Sequence, residues 1–533
     1  MLTRFWLNRR LRFLFITAVT GLLQLLLLTT PVLGVERIYA SFGPLERYIE
    51  VADLKTYVDT GELPNSLSFL RRFLSPERLE RLRSGLSTSA NIDVVTVSRF
   101  LYTTQGEAIL QWLGELIQTQ GRQNGALGIR GSLILAAADP DGGLNALNVL
   151  KHFPTQGVRV DLQTLLGVAR AATNQINQTQ AVTTQIHEQA SYVGDGVAKA
   201  DVSARDLTSP GPSVWQLLTL TETSLPTDLY LPAGDTLPLV VVSHGLGGDR
   251  TTLAYLAEHL ASHGFAVAVV EHSGSNNEQI GALLGGEVGE VVEPEEMVRR
   301  PLDIQTLLTE LDALRDPTLR DRLDFQNVGV LGHSMGGYTT LALAGATVDL
   351  DTLEQSCPPQ IKQLNLSLLL QCLVPSLPQP LPELHDDRVK AAIAINPLDS
   401  AVFGPAGMAN IKIPTMIVSG SADTVTPALA EQLRPFTWLQ VPERYLLLIE
   451  GGTHFSAIYD SQGSEDPIAL PEEALGPNPQ LAQDYVKAMS VAFLKTYLAE
   501  DDTYRQYLDP SHIAGLSQPE LPMVLARNVM IED

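Results

Sequence analysis

Cysteine is close to absent. Only Cys357 and Cys372 occur in 533 residues, and no CxxC or Cys/His grouping is present, so the spacing offers no metal centre. Basic residues are scarce as well: 36 Lys and Arg face 60 Asp and Glu, a formal net charge of −24. A chain of that sign repels nucleic acid and anionic membrane surfaces, which argues against both as main partners and leaves a neutral substrate open. Long low-complexity tracts are missing, and 44% of the residues are hydrophobic. The chain can therefore build two or more domains with substantial cores.

The N-terminus is basic. Arg4, Arg9, Arg10 and Arg12 precede the mostly apolar stretch Phe13–Leu28, and no acid occurs before Glu36. Val32-Leu33-Gly34 supplies small or apolar residues at the positions a signal peptidase reads. Residues 1–34 thus read as a signal peptide of an exported, periplasmic or secreted protein. The alternative is an anchor retained through residues 13–33, although the apolar core falls short of the ~20 residues of a full span. In an exported protein the two cysteines read as a disulfide; two buried thiols are the alternative.

Residues 35–170 read as a helical accessory domain. Ser75 is positioned as an N-cap, Pro76 as the first helical residue, and Leu79, Leu82 and Leu86 fall on one face. Further helices fit Gly106–Ile117 and Leu144–His152, with a break over Asp139–Gly143. Residues 171–195, rich in Gln, Thr and Asn, read as a linker. Over 196–505 strands alternate with helices, the pattern of a mostly parallel sheet with crossovers. Strands fit Leu239–Ser243, Phe265–Val270, Val389–Ile395, Thr415–Val418 and Tyr445–Ile449; helices fit Thr251–His263, Pro301–Arg315 and Gln480–Glu500. Residues 346–388 interrupt the alternation as an insertion, a lid, pocket wall or passive excursion, and 506–533 read as a C-terminal tail.

The chemistry centres on Leu331-Gly332-His333-Ser334-Met335-Gly336-Gly337, directly after the apolar Val328-Gly329-Val330. This is a G-x-S-x-G elbow between a buried strand and a helix, and it nominates Ser334 as nucleophile. A serine hydroxyl needs a base, and the base needs an acid to hold its tautomer. His454, in Gly451-Gly452-Thr453-His454-Phe455 after the last predicted strand, fits the base; Asp423, just past the preceding strand, fits the acid. The order Ser334, Asp423, His454 is that of α/β-hydrolases. His244-Gly245-Leu246-Gly247-Gly248 follows the first strong strand, and the N–H groups of Leu246 and Met335 fit an oxyanion hole. His244 and His333 read as loop-ordering residues.

The stretch Val241-Val242-Ser243-His244-Gly245-Leu246-Gly247-Gly248-Asp249-Arg250-Thr251 resembles the platelet-activating-factor acetylhydrolases and their dienelactone-hydrolase-like relatives, as do Ala261-Ser262-His263-Gly264-Phe265 and Val270-Glu271-His272. The elbow, with Asp423-Thr424-Val425-Thr426-Pro427 and Thr453-His454-Phe455, is also similar to bacterial cutinases and polyester hydrolases. Residues 36–170 resemble, more weakly, a helical domain of unknown function found ahead of such hydrolases. The likeness implies an α/β-hydrolase fold preceded by a small all-α domain, acting on a small-molecule or lipid ester without a cofactor. One departure matters. In the acetylhydrolases the acid follows the strand after the elbow helix, where this chain reads Asn396-Pro397-Leu398-Asp399. Asp399 is therefore the alternative acid. A lipase- or cutinase-like lipid or polyester hydrolase, an acyltransferase with the same triad, and an inactive envelope binding protein on the same fold are the competing readings.

Overall fold

The computed structural model describes residues 34–72, 74–194, 205–458 and 472–531. Nearly all of the proposed leader lies outside them. Among the described residues no helix is long and apolar enough to cross a membrane. The chain divides into two units, the first running to Leu166 and the second from Gly167, with 103–105 grouped with the second.

The first unit is not all-α. Its helices include Pro76–Ser87, where the Ser75 hydroxyl accepts the Arg78 N–H at 3.4 Å, and Leu79, Leu82 and Leu86 are half-buried as their spacing requires. It also holds a four-stranded sheet, β1 (Arg37–Phe42), β2 (Leu45–Glu50), β3 (Ile117–Thr119) and β4 (Gly157–Asp161), in the order β2-β1-β4-β3. The sheet escapes a pattern-based reading for a physical reason. β1 and β2 bury almost nothing fully, so no apolar/polar alternation marks them. Leu110, Leu67 and Phe153 anchor the core of this unit.

The second unit is built on nine strands in the order β13-β12-β11-β10-β9-β7-β8-β6-β5. Strands β7 (Leu237–Ser243), β8 (Ala266–Val270), β9 (Leu323–His333), β10 (Val389–Ile395), β11 (Thr415–Gly420) and β12 (Arg444–Ile449) run parallel. β5 (Trp215–Leu220) and β6 (Thr227–Pro232) extend one side antiparallel, and β13 (Met523–Ala526) the other. Alternate residues of β7 enter separate apolar clusters, Leu239 and Val241 in one, Val240 and Val242 in the other. The sheet is thus covered on both faces, which is why its strands read as unbroken apolar runs.

Three boundaries differ from the sequence reading. Of residues 171–195, those up to Gly194 are not a loose connector, because Leu162–Gly194 is one helix that sends Val182 and Ile186 into the main core; two apolar positions four apart suffice within this Gln- and Thr-rich stretch. Residues 506–533 are not a tail: β13 pairs Met523 with Ile449 and Ala526 with Leu446. A strand of four residues is too short for its period to show. The helix expected from Pro301 starts at Glu296 and runs to Asp312, with Pro301 inside it. Proline cannot donate to the carbonyl four residues back, and that carbonyl, of Met297, instead accepts the Tyr338 hydroxyl at 2.6 Å.

The insertion 346–388 carries short helices at Leu350–Ser356 and Leu368–Gln371, and Cys357 and Cys372 form a disulfide. A fully buried carboxyl, Glu431, ties it to the segment that follows β10. It accepts from Gln371 Nε2 at 3.0 Å, the Asp399 N–H at 2.8 Å, the Ser400 N–H at 2.9 Å and the Ser400 hydroxyl at 2.5 Å, and also from Asn365 Nδ2. Gln371 Oε1 in turn receives the N–H groups of Ala401 and Val402 at 2.8 and 2.9 Å. Replacing Glu431 by leucine strands these donors, each costing ~1–3 kcal/mol when buried without a partner. We expect urea denaturation to show a loss of at least ~3 kcal/mol; an unchanged midpoint would refute this role.

Candidate active site

In a parallel sheet, neighbouring strands whose connections leave in opposite directions open a crevice at their carboxyl ends. Here β7 leads to β8 on one side and β9 leads to β10 on the other, while β7 and β9 lie side by side. The loop after β7 and the elbow after β9 therefore meet at that switch point.

Ser334 stands immediately before the helix Met335–Leu343, with φ 57° and ψ −116° and no side-chain bond to the helix end. A non-glycine residue held there costs ~1–3 kcal/mol, which the surroundings must offset. Two close approaches enforce the turn. A Cβ at Gly332 would lie 2.2 Å from the Gly336 carbonyl oxygen, and one at Gly336 would lie 2.0 Å from the Ser243 oxygen. The Ser334 N–H donates to the Ile395 carbonyl at 2.8 Å, and Ser334 itself is 7% exposed. The β7 loop runs alongside: a Cβ on Gly245 would come within 3.3 Å of the Ser334 Cβ. Among the described residues the Leu246 N–H has no acceptor, while its neighbours Gly247 and Gly248 donate to Ser275 and Gly245. The Met335 N–H belongs to the first turn of the elbow helix, where amides lack intrahelical acceptors.

Asp423 and His454, 31 residues apart, are joined. His454 Nδ1 lies 2.7 Å from Asp423 Oδ2. A carboxylate only accepts, so Nδ1 carries the proton and Nε2 is left with a lone pair. Asp423 accepts four further hydrogen bonds: the N–H groups of Val425 and Thr426 at 2.8 Å each, the Thr426 hydroxyl at 2.7 Å and Asn396 Nδ2 at 2.7 Å. Burial by itself would push this carboxyl up. The adjacent His454 imidazole and the donors from His454 and Thr426 outweigh it and hold Asp423 below the usual carboxylate range. His333, the residue before Ser334, donates from Nε2 to the His454 carbonyl at 2.8 Å, and the two rings lie 4.7 Å apart, tilted by 52°. Its imidazole is pushed down to about 3, first by burial and then by His454, so it stays neutral.

Asp399 does not join this group. Both its oxygens are buried without a hydrogen-bond partner among the described residues. Burial, then the neighbouring Glu431, raises it well above the carboxylate range. Asn396, with φ 44°, instead turns its amide onto Asp423 and reaches the Thr453 carbonyl at 3.3 Å. Its place directly after β10 was visible in the sequence; its partner was not. Arg300 and Thr426 also escaped the sequence reading. Arg300 is fully buried and donates from Nη1 to the His244 carbonyl at 2.8 Å and from Nε to the Ser275 hydroxyl at 2.9 Å. No group of His, Asp and Glu that could hold a metal occurs among the described residues.

A sheet of this topology, with the elbow at its switch point, defines an α/β-hydrolase. The sequence comparisons agree: residues 34–161 match the model of an alpha/beta hydrolase family of unknown function, and residues 214–282 that of platelet-activating factor acetylhydrolase, isoform II. Cutinase 1 of Thermobifida cellulosilytica is 24% identical over 298 residues, 54% of this chain and 79% of the cutinase. A cutinase of Thermobifida fusca is 24% identical over the same share of the chain and 69% of its own length. The platelet-activating factor acetylhydrolase of Bos taurus is 30% identical over 145 residues, 21% of this chain and 33% of that enzyme. Within that class, the chain is similar to platelet-activating factor acetylhydrolase and to the bacterial cutinases.

Proposed function

We propose that this chain is a carboxylic-ester hydrolase working through an acyl-enzyme on Ser334. The observation that carries the reading is the Asp423–His454 pair, a buried carboxylate holding the imidazole in the tautomer that leaves Nε2 free. In the first half-reaction the Ser334 Oγ attacks the ester carbonyl carbon and its proton passes to His454 Nε2. The carbonyl electrons move to oxygen, where the N–H groups of Leu246 and Met335 receive the charge. On collapse the alcohol leaves with the proton from Nε2. A water then attacks the acyl-serine by the same route, releasing the acid and restoring Ser334. Asp423 orients the imidazole and stabilises its charged form. No step needs a cofactor.

The leader-like residues 1–34 and the Cys357–Cys372 disulfide support work outside the cytoplasm, as an exported or N-terminally anchored enzyme. The relatives are named as cutinases and as an acetylhydrolase, which makes acyl length the informative variable. The test is a p-nitrophenyl ester series, acetate through palmitate, with a fluorophosphonate as active-site label. Turnover of at least one member and a label on Ser334 are expected. A folded protein inert to the whole series and unlabelled would overturn the proposal.

A further inference from the structure

Taking a guanidinium out of water costs several kcal/mol unless its partners are well placed. Arg300 nevertheless has no exposed surface, and what it holds is the β7 loop. Besides the His244 carbonyl and Ser275, Nη2 reaches the Gly245 carbonyl at 3.4 Å. Glu296, one turn earlier, lies 3.9 Å from Nε and accepts the Ser275 hydroxyl at 2.6 Å, completing a buried cluster. His244 adds a second hold. Its Nε2 accepts the His272 N–H at 3.0 Å, so its Nδ1 carries the proton and donates to the Gly245 carbonyl at 2.6 Å.

A trans peptide is planar, with its C=O and N–H antiparallel. Fixing the Gly245 oxygen toward Arg300 and His244 therefore aims the Leu246 N–H the opposite way. A flip of the Gly245–Leu246 peptide would turn its N–H against a cation and abandon three acceptor contacts, the third from the Gly248 N–H at 3.2 Å. We propose that Arg300 is a positioning residue that keeps the oxyanion hole formed before substrate arrives, by clamping the His244 and Gly245 carbonyls. It touches no substrate, and the inference rests on the ester-hydrolase reading.

The test compares Arg300→Met and Arg300→Lys with the wild type. It measures kcat and KM on a p-nitrophenyl ester and the affinity of an alkyl boronic acid, whose serine adduct is a tetrahedral anion. Removing one oxyanion donor lowers kcat by about 10²–10³. We expect Arg300→Met to lose about 100-fold in kcat, to keep KM within about threefold, and to bind boronate about 100-fold more weakly. Arg300→Lys, which keeps the charge without the fork, should fall between. The pH profile of kcat/KM should not move, because the Asp423–His454 pair is untouched. Should the methionine variant fail to fold, the lysine variant and Ser275→Ala, which removes one hold on the guanidinium, decide the matter. A folded variant with wild-type kcat, or one losing kcat with boronate affinity intact, overturns the clamp. If the wild type itself turns over no ester, the functional reading falls first and the clamp with it.

Discussion

Ser334→Ala is expected to lose about 10⁶-fold in kcat, the scale seen when a serine hydrolase is stripped of its nucleophile, and all fluorophosphonate labelling. The fold should survive, since the Ser334 side chain caps no helix end. Alanine also tolerates the strained backbone no worse than serine. The residual rate would come from the oxyanion hole and substrate binding, which do not need the hydroxyl. The measurement is kcat on an activated ester beside a thermal melt. A variant that folds and still turns over at more than about one per cent of the wild-type rate would remove Ser334 from the chemistry.

Asp423→Asn is expected to cost about 10⁴-fold in kcat, with the fold and Ser334 intact. The amide cannot accept the Nδ1 proton through its nitrogen, so the imidazole is released to the other tautomer and presents a proton to Ser334 instead of a lone pair. The matched control is Asp399→Asn. Asp399 has no contact with His454, so its variant should keep nearly full activity. Its stability should change with pH in a defined direction. The folded state holds Asp399 protonated well above its ordinary value of 3.8. The unfolded chain releases that proton near pH 4, so the wild type loses stability as pH rises through that point, by up to ~1.4 kcal/mol per pH unit until the folded group ionises. Asparagine has no proton to lose. Asp399→Asn should thus match the wild type near pH 4 and exceed it at pH 7. Loss of activity at 399 and its retention at 423 would reverse the assignment of the acid.

The sequence comes close to the site because the elements that build it announce themselves locally. The elbow needs glycine at 332 and 336 within touching distance of backbone oxygens, so its motif is a steric requirement legible in five letters. The parallel strands are buried on both faces and read as apolar runs; β10 begins and ends where its composition does. The N-terminal sheet and β13 leave no such trace, being short, edge-placed or half-solvated, so that neither length nor period separates them from loop.

What the chain alone determines, then, is the strand order's raw material, the elbow and the residue types that follow each strand. Which of two aspartates meets His454 was decided only in three dimensions. Asp423 sits in a turn whose own amides and hydroxyl converge on its carboxylate, whereas Asp399 is buried beside Glu431 with no donor to its carboxyl among the described residues. The same holds for Arg300, one arginine on a helix with no motif around it. Its importance arises because folding buries it against two carbonyls 55 and 56 residues away. Local sterics are written in neighbouring residues. The charge state and partner of a buried group are set by whatever the tertiary fold brings to it from far along the chain.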